Sequence, residues 1–355
     1  MSKRILAVPF TALLAALTLF SFAGAQSLTG AGATFPFPLY SKMFNVYAGQ
    51  THVTVNYQAI GSGGGQQQLL SRTVNFAASD APLSDKQLQE FQAKNGAPVL
   101  HIPMALGAVV LTYNWAPMAK APSQPLKLTG QVVADIFLGK ITNWNDPALK
   151  KLNPGVTFPN LPISVAHRSD GSGTTYVFTD YLSKVSPDWK QQVGSSTSVN
   201  WPVGSGGKGN QGVAGLVKQI PGSFGYVELI YALQNKMPYA TLENSSGNFI
   251  VPSLQSTSLA GDVPVPADGR FDITNTSSAQ GYPIATYTYI LLYQDMSLTT
   301  DSTGQAKQVK DLVAWMSTKG QQYSEGLDYG PLPQRVRDFD AQQLAKLTFK
   351  GQPLN

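Results

Sequence analysis

The chain has 355 residues, more than one ordinary core accommodates, so two domains are expected. Only 13% of residues are charged while 43% are hydrophobic, which excludes a disordered or coiled-coil chain. The 33 glycines and 24 prolines follow no fixed period, which excludes collagen and calls for many tight turns. With no cysteine, disulfides, thiol catalysis, cysteine-ligated zinc, iron–sulfur clusters and a cysteine-linked lipid anchor are all excluded. Three histidines (His52, His101, His167) do not suffice for a multi-histidine metal centre. Setting aside Lys3 and Arg4 leaves 23 basic against 20 acidic residues. That modest excess suits an anionic small ligand without demanding one. No run of Lys and Arg is interleaved with aromatics, so nucleic acid is not an expected partner.

Residues 1–25 read as a secretory signal peptide: Lys3 and Arg4, a short apolar stretch over 11–22, and Ala23-Gly24-Ala25 as a cleavage site. Pro9 interrupts the run and argues against an uncleaved anchor. The longest later apolar run, 102–111, cannot span a bilayer. The mature protein is therefore expected to be exported and to start near Gln26.

From there, strand, glycine-rich turn and helix alternate. Leu39, Tyr40, Met43, Phe44 and Tyr47 fall at helical spacing behind Pro36 and Pro38. Val53, Val55 and Tyr57 alternate as in a strand. Gly61-Ser62-Gly63-Gly64-Gly65 then leads to a helix over 66–74. A short strand over 76–78 ends in Ser79-Asp80-Ala81-Pro82, and Ser84 caps a helix over 85–91. Later, 162–169 reads as strand, Asp170-Gly171-Ser172-Gly173 as turn, and 174–185 as helix. Gly204-Ser205-Gly206-Gly207-Lys208-Gly209 has the letters of a dinucleotide fingerprint. It lacks a proper preceding strand and reads instead as a glycine loop entering a helix over 210–220. Residues 244–282 read mostly as loop, and 305–318 as helix. Such alternation predicts α/β layers with largely parallel sheets.

Glycine-rich turns that open helices bind anions, because free backbone N–H groups and a partial positive charge face outward there. Three of them carry hydroxyls: Thr34, Ser62, and Ser172 with Thr174. Ordinary tight turns with capping residues would look the same. The densest cluster is Arg168-Ser169-Asp170-Gly171-Ser172-Gly173-Thr174. An Arg fork binds a tetrahedral oxyanion at two points, and Asp170 could hold it in place. Asp80 is the odd member: either a turn cap, or the acceptor for a proton that the ligand carries. Phosphate has such a proton at neutral pH and sulfate has none. An unpaired buried charge costs roughly 3–5 kcal/mol, a discrimination of about 100-fold to several thousand-fold. The histidines and Trp144, Trp189 and Trp201 read as packing residues.

These residues resemble the phosphate-binding proteins of high-affinity phosphate ABC transporters, the PstS family. The likeness runs over nearly the whole mature chain. Its anchors include Gly30-Ala31-Gly32-Ala33-Thr34-Phe35-Pro36, Gly61-Ser62-Gly63-Gly64, Ala78-Ser79-Asp80-Ala81-Pro82, Leu138-Gly139-Lys140-Ile141-Thr142-Asn143-Trp144 and Gly206-Gly207-Lys208-Gly209-Asn210. The Arg168–Thr174 cluster and Gly222-Ser223-Phe224-Gly225-Tyr226-Val227-Glu228 complete the set. The resemblance implies an α/β two-domain periplasmic binding protein of type II, with mixed, mostly parallel sheets flanked by helices and a two-segment hinge. It divides the chain into 26–106 plus 287–355 and 107–286. It implies orthophosphate bound by Thr34, the backbone of Phe35, Ser62, Asp80, Arg168, Ser172, Gly173 and Thr174, with Asp170 pairing Arg168. His167 stands where some members carry a second Arg. No cofactor is implied. The expected partners are inorganic phosphate, arsenate as its mimic, and permease subunits of an inner-membrane ABC transporter; a monomer free in the periplasm is expected. A secreted phosphatase on this scaffold, or a receptor for another oxyanion such as sulfate or molybdate, are the alternatives.

Overall fold

The computed structural model describes residues 27–115 and 125–354. The expected signal peptide and its cleavage site lie outside the described residues. The first elements are β1 (Ser27–Gly32), α1 (Phe37–Thr51), β2 (Thr54–Ala59), α2 (Ser62–Leu70), β3 (Phe76–Ser79), α3 (Asp85–Asn95) and β4 (Val99–Tyr113). The five periodic apolar residues of α1 are all buried, and Ser84 forms a reciprocal capping box with Gln87 at the start of α3. The apolar run 102–111 lies within β4, a 15-residue central strand. Covered on both faces, such a strand reads as continuous hydrophobe.

After β5 (Lys127–Leu128) come α4 (Gly130–Phe137), α5 (Pro147–Leu152), β6 (Ser164–Arg168), α6 (Gly173–Val185), α7 (Pro187–Gln192), β7 (Ser205–Gly207) and α8 (Gly209–Gln219). Next are β8 (Ser223–Glu228), α9 (Leu229–Gln234), β9 (Thr241–Glu243), β10 (Phe249–Ile250), α10 (Leu254–Ala260) and β11 (Ala285–Tyr293). The chain finishes with α11 (Thr303–Ser317), α12 (Gln334–Leu344) and the small hairpin β12 (Thr348–Phe349) and β13 (Gln352–Pro353).

Eight strands form one mixed sheet in the order β2-β1-β3-β11-β4-β8-β6-β7. β1 pairs in parallel with β2 and β3, and β6 with β7 and β8. The three central pairings, β3–β11, β11–β4 and β4–β8, are antiparallel. β4 changes partner midway: residues 99–108 pair with β11, while 109–113 pair with β8. The helix entry points β1→α1, β2→α2, β6→α6 and β7→α8 all follow parallel strands, so their N-termini collect at the carboxyl ends of the strands.

Three local expectations are corrected. The glycine run 61–65 is no separate turn; Ser62 opens α2, which ends at Leu70. Glycine is a poor helix former. Here close packing decides, because a Cβ on Gly65 would lie 2.5 Å from the Ala31 carbonyl oxygen. The glycine-rich stretch before α8 contains an edge strand, β7, in parallel register with β6. And 244–282 is not all loop, since Ser253 and Ser256 cap α10 reciprocally. Beyond α10 the chain runs back over β11. Tyr287 Oη donates to the Gly261 carbonyl at 3.1 Å, and Phe271 stacks on Tyr287 with centroids 4.1 Å apart.

The aromatic residues pack as expected. Trp144 and Trp189 are fully buried, and Trp201 stacks on His167 at 4.8 Å. His101 accepts the Leu83 N–H at 2.9 Å, and burial pushes its pKa down to about 3, so the ring is neutral.

Candidate anion-binding site

β1 ends at Gly32, where a Cβ would sit 1.9 Å from the Ala78 carbonyl oxygen; only glycine allows β1 and β3 to approach this closely. The chain then turns through Thr34 and Phe35 into α1. Thr34 is buried. Its hydroxyl oxygen accepts from the Asn210 backbone N–H at 3.2 Å and from Asn210 Nδ2 at 3.0 Å. Tyr231 Oη donates to the Thr34 carbonyl and Tyr329 Oη to the Phe35 carbonyl, each at 2.6 Å.

Ser62, the first residue of α2, is fully buried. Its Oγ accepts the Asp80 backbone N–H at 3.2 Å and lies 3.5 Å from Asp80 Oδ2, at the limit of hydrogen-bond reach. Asp80 stands just past the end of β3, fully enclosed. Thr288 on β11 donates to its Oδ1 at 2.8 Å.

The opposing wall is built by β6, α6 and α8. Arg168, at the end of β6, donates from Nε and Nη2 to the two oxygens of Asp170 at 2.8 and 2.5 Å, and from Nη1 to Thr174 Oγ1 at 3.2 Å. Of its five N–H groups two remain for a ligand. Asp170 also accepts the Gly209 N–H at 3.0 Å. Burial alone would raise its pKa; the Arg168 guanidinium and the Gly209 N–H outweigh this and hold it below the usual carboxylate range. Ser172 is the N-cap of α6, its Oγ accepting the Thr175 N–H at 3.0 Å. Gly173 and Thr174 then form the helix's first turn, whose N–H groups have no partner within the helix.

The two walls touch. Gly63 N–H donates to the Gly171 carbonyl at 2.9 Å. A Cβ on Gly173 would lie 2.5 Å from Ser62 Oγ and 2.6 Å from Asp80 Oδ2. A Cβ on Gly61 would lie 2.2 Å from Asp170 Oδ2. Residues drawn from four separate stretches of the chain therefore enclose one small polar space. All the residues singled out from the sequence (Thr34, Phe35, Ser62, Asp80, Arg168, Asp170, Ser172, Gly173 and Thr174) stand at or beside it. The Phe35 side chain itself is in the core, and its carbonyl is taken by Tyr329.

The hydrogen-bond polarity is uniform. Thr34, Ser62, Ser172 and Thr174 each already accept from an N–H group. A hydroxyl whose oxygen is so engaged has its O–H left to give, which Ser62 turns toward Asp80 Oδ2 at 3.5 Å. With the helix N-termini and the spare Arg168 N–H groups, the space is lined by donors. Asp80 Oδ2 is the exception. Burial pushes the Asp80 carboxyl up to about 7, against Thr288, Arg168 and Ser62, which all favour the charged form.

Three residues here escaped the sequence reading. Asn210, at the start of α8, donates from Nδ2 to both Thr34 Oγ1 and Thr174 Oγ1, the latter at 3.2 Å, and so ties the walls together; its Oδ1 accepts the Glu228 N–H at 2.9 Å. It belongs to a quoted motif, and its position at a helix N-terminus was the usable signal. Thr288 carries no sequence signal, being one threonine in a strand of alternating Thr and Tyr. Glu228 is fully buried; burial raises its carboxyl well above the usual range, opposed by the Ile230 N–H and the Tyr329 hydroxyl.

Comparison with known proteins follows the same line. The sequence model of a family described as a PBP superfamily domain matches residues 22–319. The phosphate-binding protein PstS of Pasteurella multocida is 43% identical over 320 residues, spanning 88% of this chain and 88% of its own. PstS of Haemophilus influenzae is 44% identical over 320 residues, spanning 89% of this chain and 91% of its own. This chain belongs to the PstS family of phosphate-binding proteins. Its periplasmic-binding-protein fold is that of more distant solved structures too. A high-affinity periplasmic phosphate-binding protein bound with phosphate (PfluDING) aligns with a TM-score of 0.70 at 22% identity, covering 89% of this chain and 92% of that one. A phosphate-binding protein from Stenotrophomonas maltophilia aligns with a TM-score of 0.68 at 20% identity, covering 89% and 93%.

Proposed function

We propose that this member of the PstS family captures inorganic phosphate in the donor-lined space and delivers it to the permease subunits of an inner-membrane ABC importer. The observation that carries the reading is a single carboxylate oxygen, Asp80 Oδ2, left beside the Ser62 hydroxyl and the first turn of α6 while Thr288 holds Oδ1. A fully deprotonated tetrahedral anion offers that oxygen only lone pairs. Phosphate offers it a proton while accepting from every other wall.

The protein acts as a monomeric carrier in the periplasm, exported by cleavage after Ala25. The described residues contain no helix long and apolar enough to cross a membrane, in keeping with that role. Residues 26–106 with 287–355 form one lobe and 107–286 the other. Support comes from the partner change of β4 at Ala108 and Val109, and from β11, which enters its pairing at Ala285. The stretch beyond α10, second-lobe by chain position, fastens over the first lobe. Closure about these crossings buries the ligand and strengthens every polar contact to it.

Binding rather than hydrolysis fits the tightness of the walls. The Gly63–Gly171 contact and the missing Cβ of Gly173 leave little room for the organic part of an ester. Calorimetry on the mature chain tests the assignment. Phosphate binds near or below micromolar Kd, arsenate binds, and sulfate and molybdate bind at least about 100-fold more weakly. Equal affinity for sulfate would overturn the part given to Asp80, and ester turnover abolished by Ser172→Ala would overturn the carrier reading.

A further inference from the structure

The geometry points to Thr288 as the positioning residue of the site: its hydroxyl holds Asp80 Oδ1, so that Oδ2 alone is presented to the oxyanion. This rests on the phosphate reading above and extends it from the carboxylate that selects to the residue that aims it.

A carboxylate has two equivalent oxygens and rotates about one bond. Two carboxylate orientations would give two different acceptor positions, and the proton test on the guest would blur. In this fold the rotation is blocked from one side. Thr288 lies in β11, antiparallel to β3, and its Oγ1 meets Asp80 Oδ1 at 2.8 Å. Both residues are fully enclosed, with relative exposures of 0% and 1%. Oδ2 is left between Ser62 Oγ and the space where a Gly173 Cβ would be. No other side chain of the described residues donates to Oδ1.

The same hydroxyl governs the proton. Burial drives the Asp80 carboxyl up to about 7, and the bond from Thr288 is foremost among the contacts that hold it down, ahead of Arg168 and Ser62. The other charged or titratable groups facing Asp80 are Tyr40 from α1, Tyr57 from β2, Arg168 from β6, Glu228 from β8, Tyr231 from α9 and Tyr329 from the C-terminal stretch. The tyrosines and Glu228 are all pushed upward by burial, and Arg168 is the cation that favours the charged form of Asp80. The sign follows. A carboxyl raised toward neutrality takes up a proton as pH falls, and then donates instead of accepting. Sulfate, rejected by the ionised form, becomes acceptable to the protonated form. Removing the Thr288 hydroxyl raises the Asp80 carboxyl further and moves that change to higher pH.

The experiment is a set of calorimetric titrations with phosphate and with sulfate, each from pH 5.5 to 9 (a range of roughly two units either side of the expected change), on wild type, Thr288→Val and Thr288→Ser. In wild type the sulfate-to-phosphate affinity ratio climbs as pH falls. In Thr288→Val the same climb occurs on the order of one to two pH units higher, since a hydrogen bond to a charged group is worth about that shift. Phosphate affinity itself falls by less than about tenfold, because phosphate can accept the proton that Asp80 has gained. Thr288→Ser keeps the wild-type profile. A Thr288→Val profile that coincides with wild type overturns the role, as does a Thr288→Ser profile displaced as far as the valine one. Should Thr288→Val not fold, Thr288→Ala is compared with Thr288→Ser by the same two criteria. Wild-type protein that binds no phosphate overturns the underlying reading as well, and is distinguished from the first failure because it needs no variant.

Discussion

Arg168 and Arg270 make the same local bond and do different things with it. Each grips, through Nε and Nη2, an aspartate two residues away: Arg168 takes Asp170, and Arg270 takes Asp268. The difference lies in the remaining N–H groups and in the water. Arg270 spends Nη1 on the Leu83 carbonyl and on Asp85, at the edge of the molecule, where the Asp85 side chain is 81% exposed. Arg168 has a side-chain exposure of 1%, gives one N–H to Thr174, and has two left over. An Arg-Asp pair therefore says little by itself. What would make one of them a binding group is burial, together with donors left over when the pairing is complete.

The contrast breaks most sharply at Arg168. Arg168→Met deletes the cation and leaves Asp170 buried without its partner. Two charge-assisted hydrogen bonds to phosphate are lost, each worth about 1.5–3 kcal/mol, so phosphate affinity should fall by about 100-fold to 10,000-fold. Calorimetry measures it; a loss below tenfold would mean that Arg168, like Arg270, is structural. Asp80→Asn has a smaller effect on phosphate and a larger one on choice. The amide keeps the shape but offers Nδ2 as a donor, so the sulfate rejection of about 100-fold or more should shrink toward parity at pH 8. Selectivity unchanged in that variant would separate discrimination from the carboxylate altogether.

What could be read in the sequence, and what could not, divides by distance along the chain. Arg168, Asp170, Ser172 and Thr174 lie within seven residues, and the capping geometry that opens α6 is local, so the cluster was legible. Ser84 and the five buried residues of α1 were legible for the same reason. Thr288 meets Asp80 across 208 residues and Asn210 meets Thr34 across 176. Such contacts are set by strand order, which neither periodicity nor motif spacing reports. α2 was misjudged because its glycines disfavour a helix in isolation, while the close approach of β1 leaves no room for a side chain at Gly65. α10 was missed because its N-cap partner is Ser256, where the common pattern has Glu or Gln.

The last and smallest expected effect is at Arg270. Arg270→Ala removes bonds to Asp268, Asp85 and the Leu83 carbonyl at a solvent-washed edge. Exposed pairs contribute about 0–1 kcal/mol, less at high salt, and each partner here has a substitute. Asp85 is the first residue of α3 and sits in the favourable field of that helix's N-terminus, while water can satisfy the Leu83 carbonyl. The expected result is a fall in Tm of no more than about 2–4 °C at low salt and less at high salt, with phosphate affinity within about twofold of wild type. Affinity that drops tenfold, with thermal stability intact, would support a part for Arg270 in the proposed closure: under the proposed lobe boundaries the stretch from Gly261 to Phe271, which carries Arg270, belongs to the second lobe and packs on Tyr287 of the first. The salt series separates the two cases, because screening erases a surface ion pair but leaves the Arg270–Leu83 hydrogen bond and the stacked Phe271 in place.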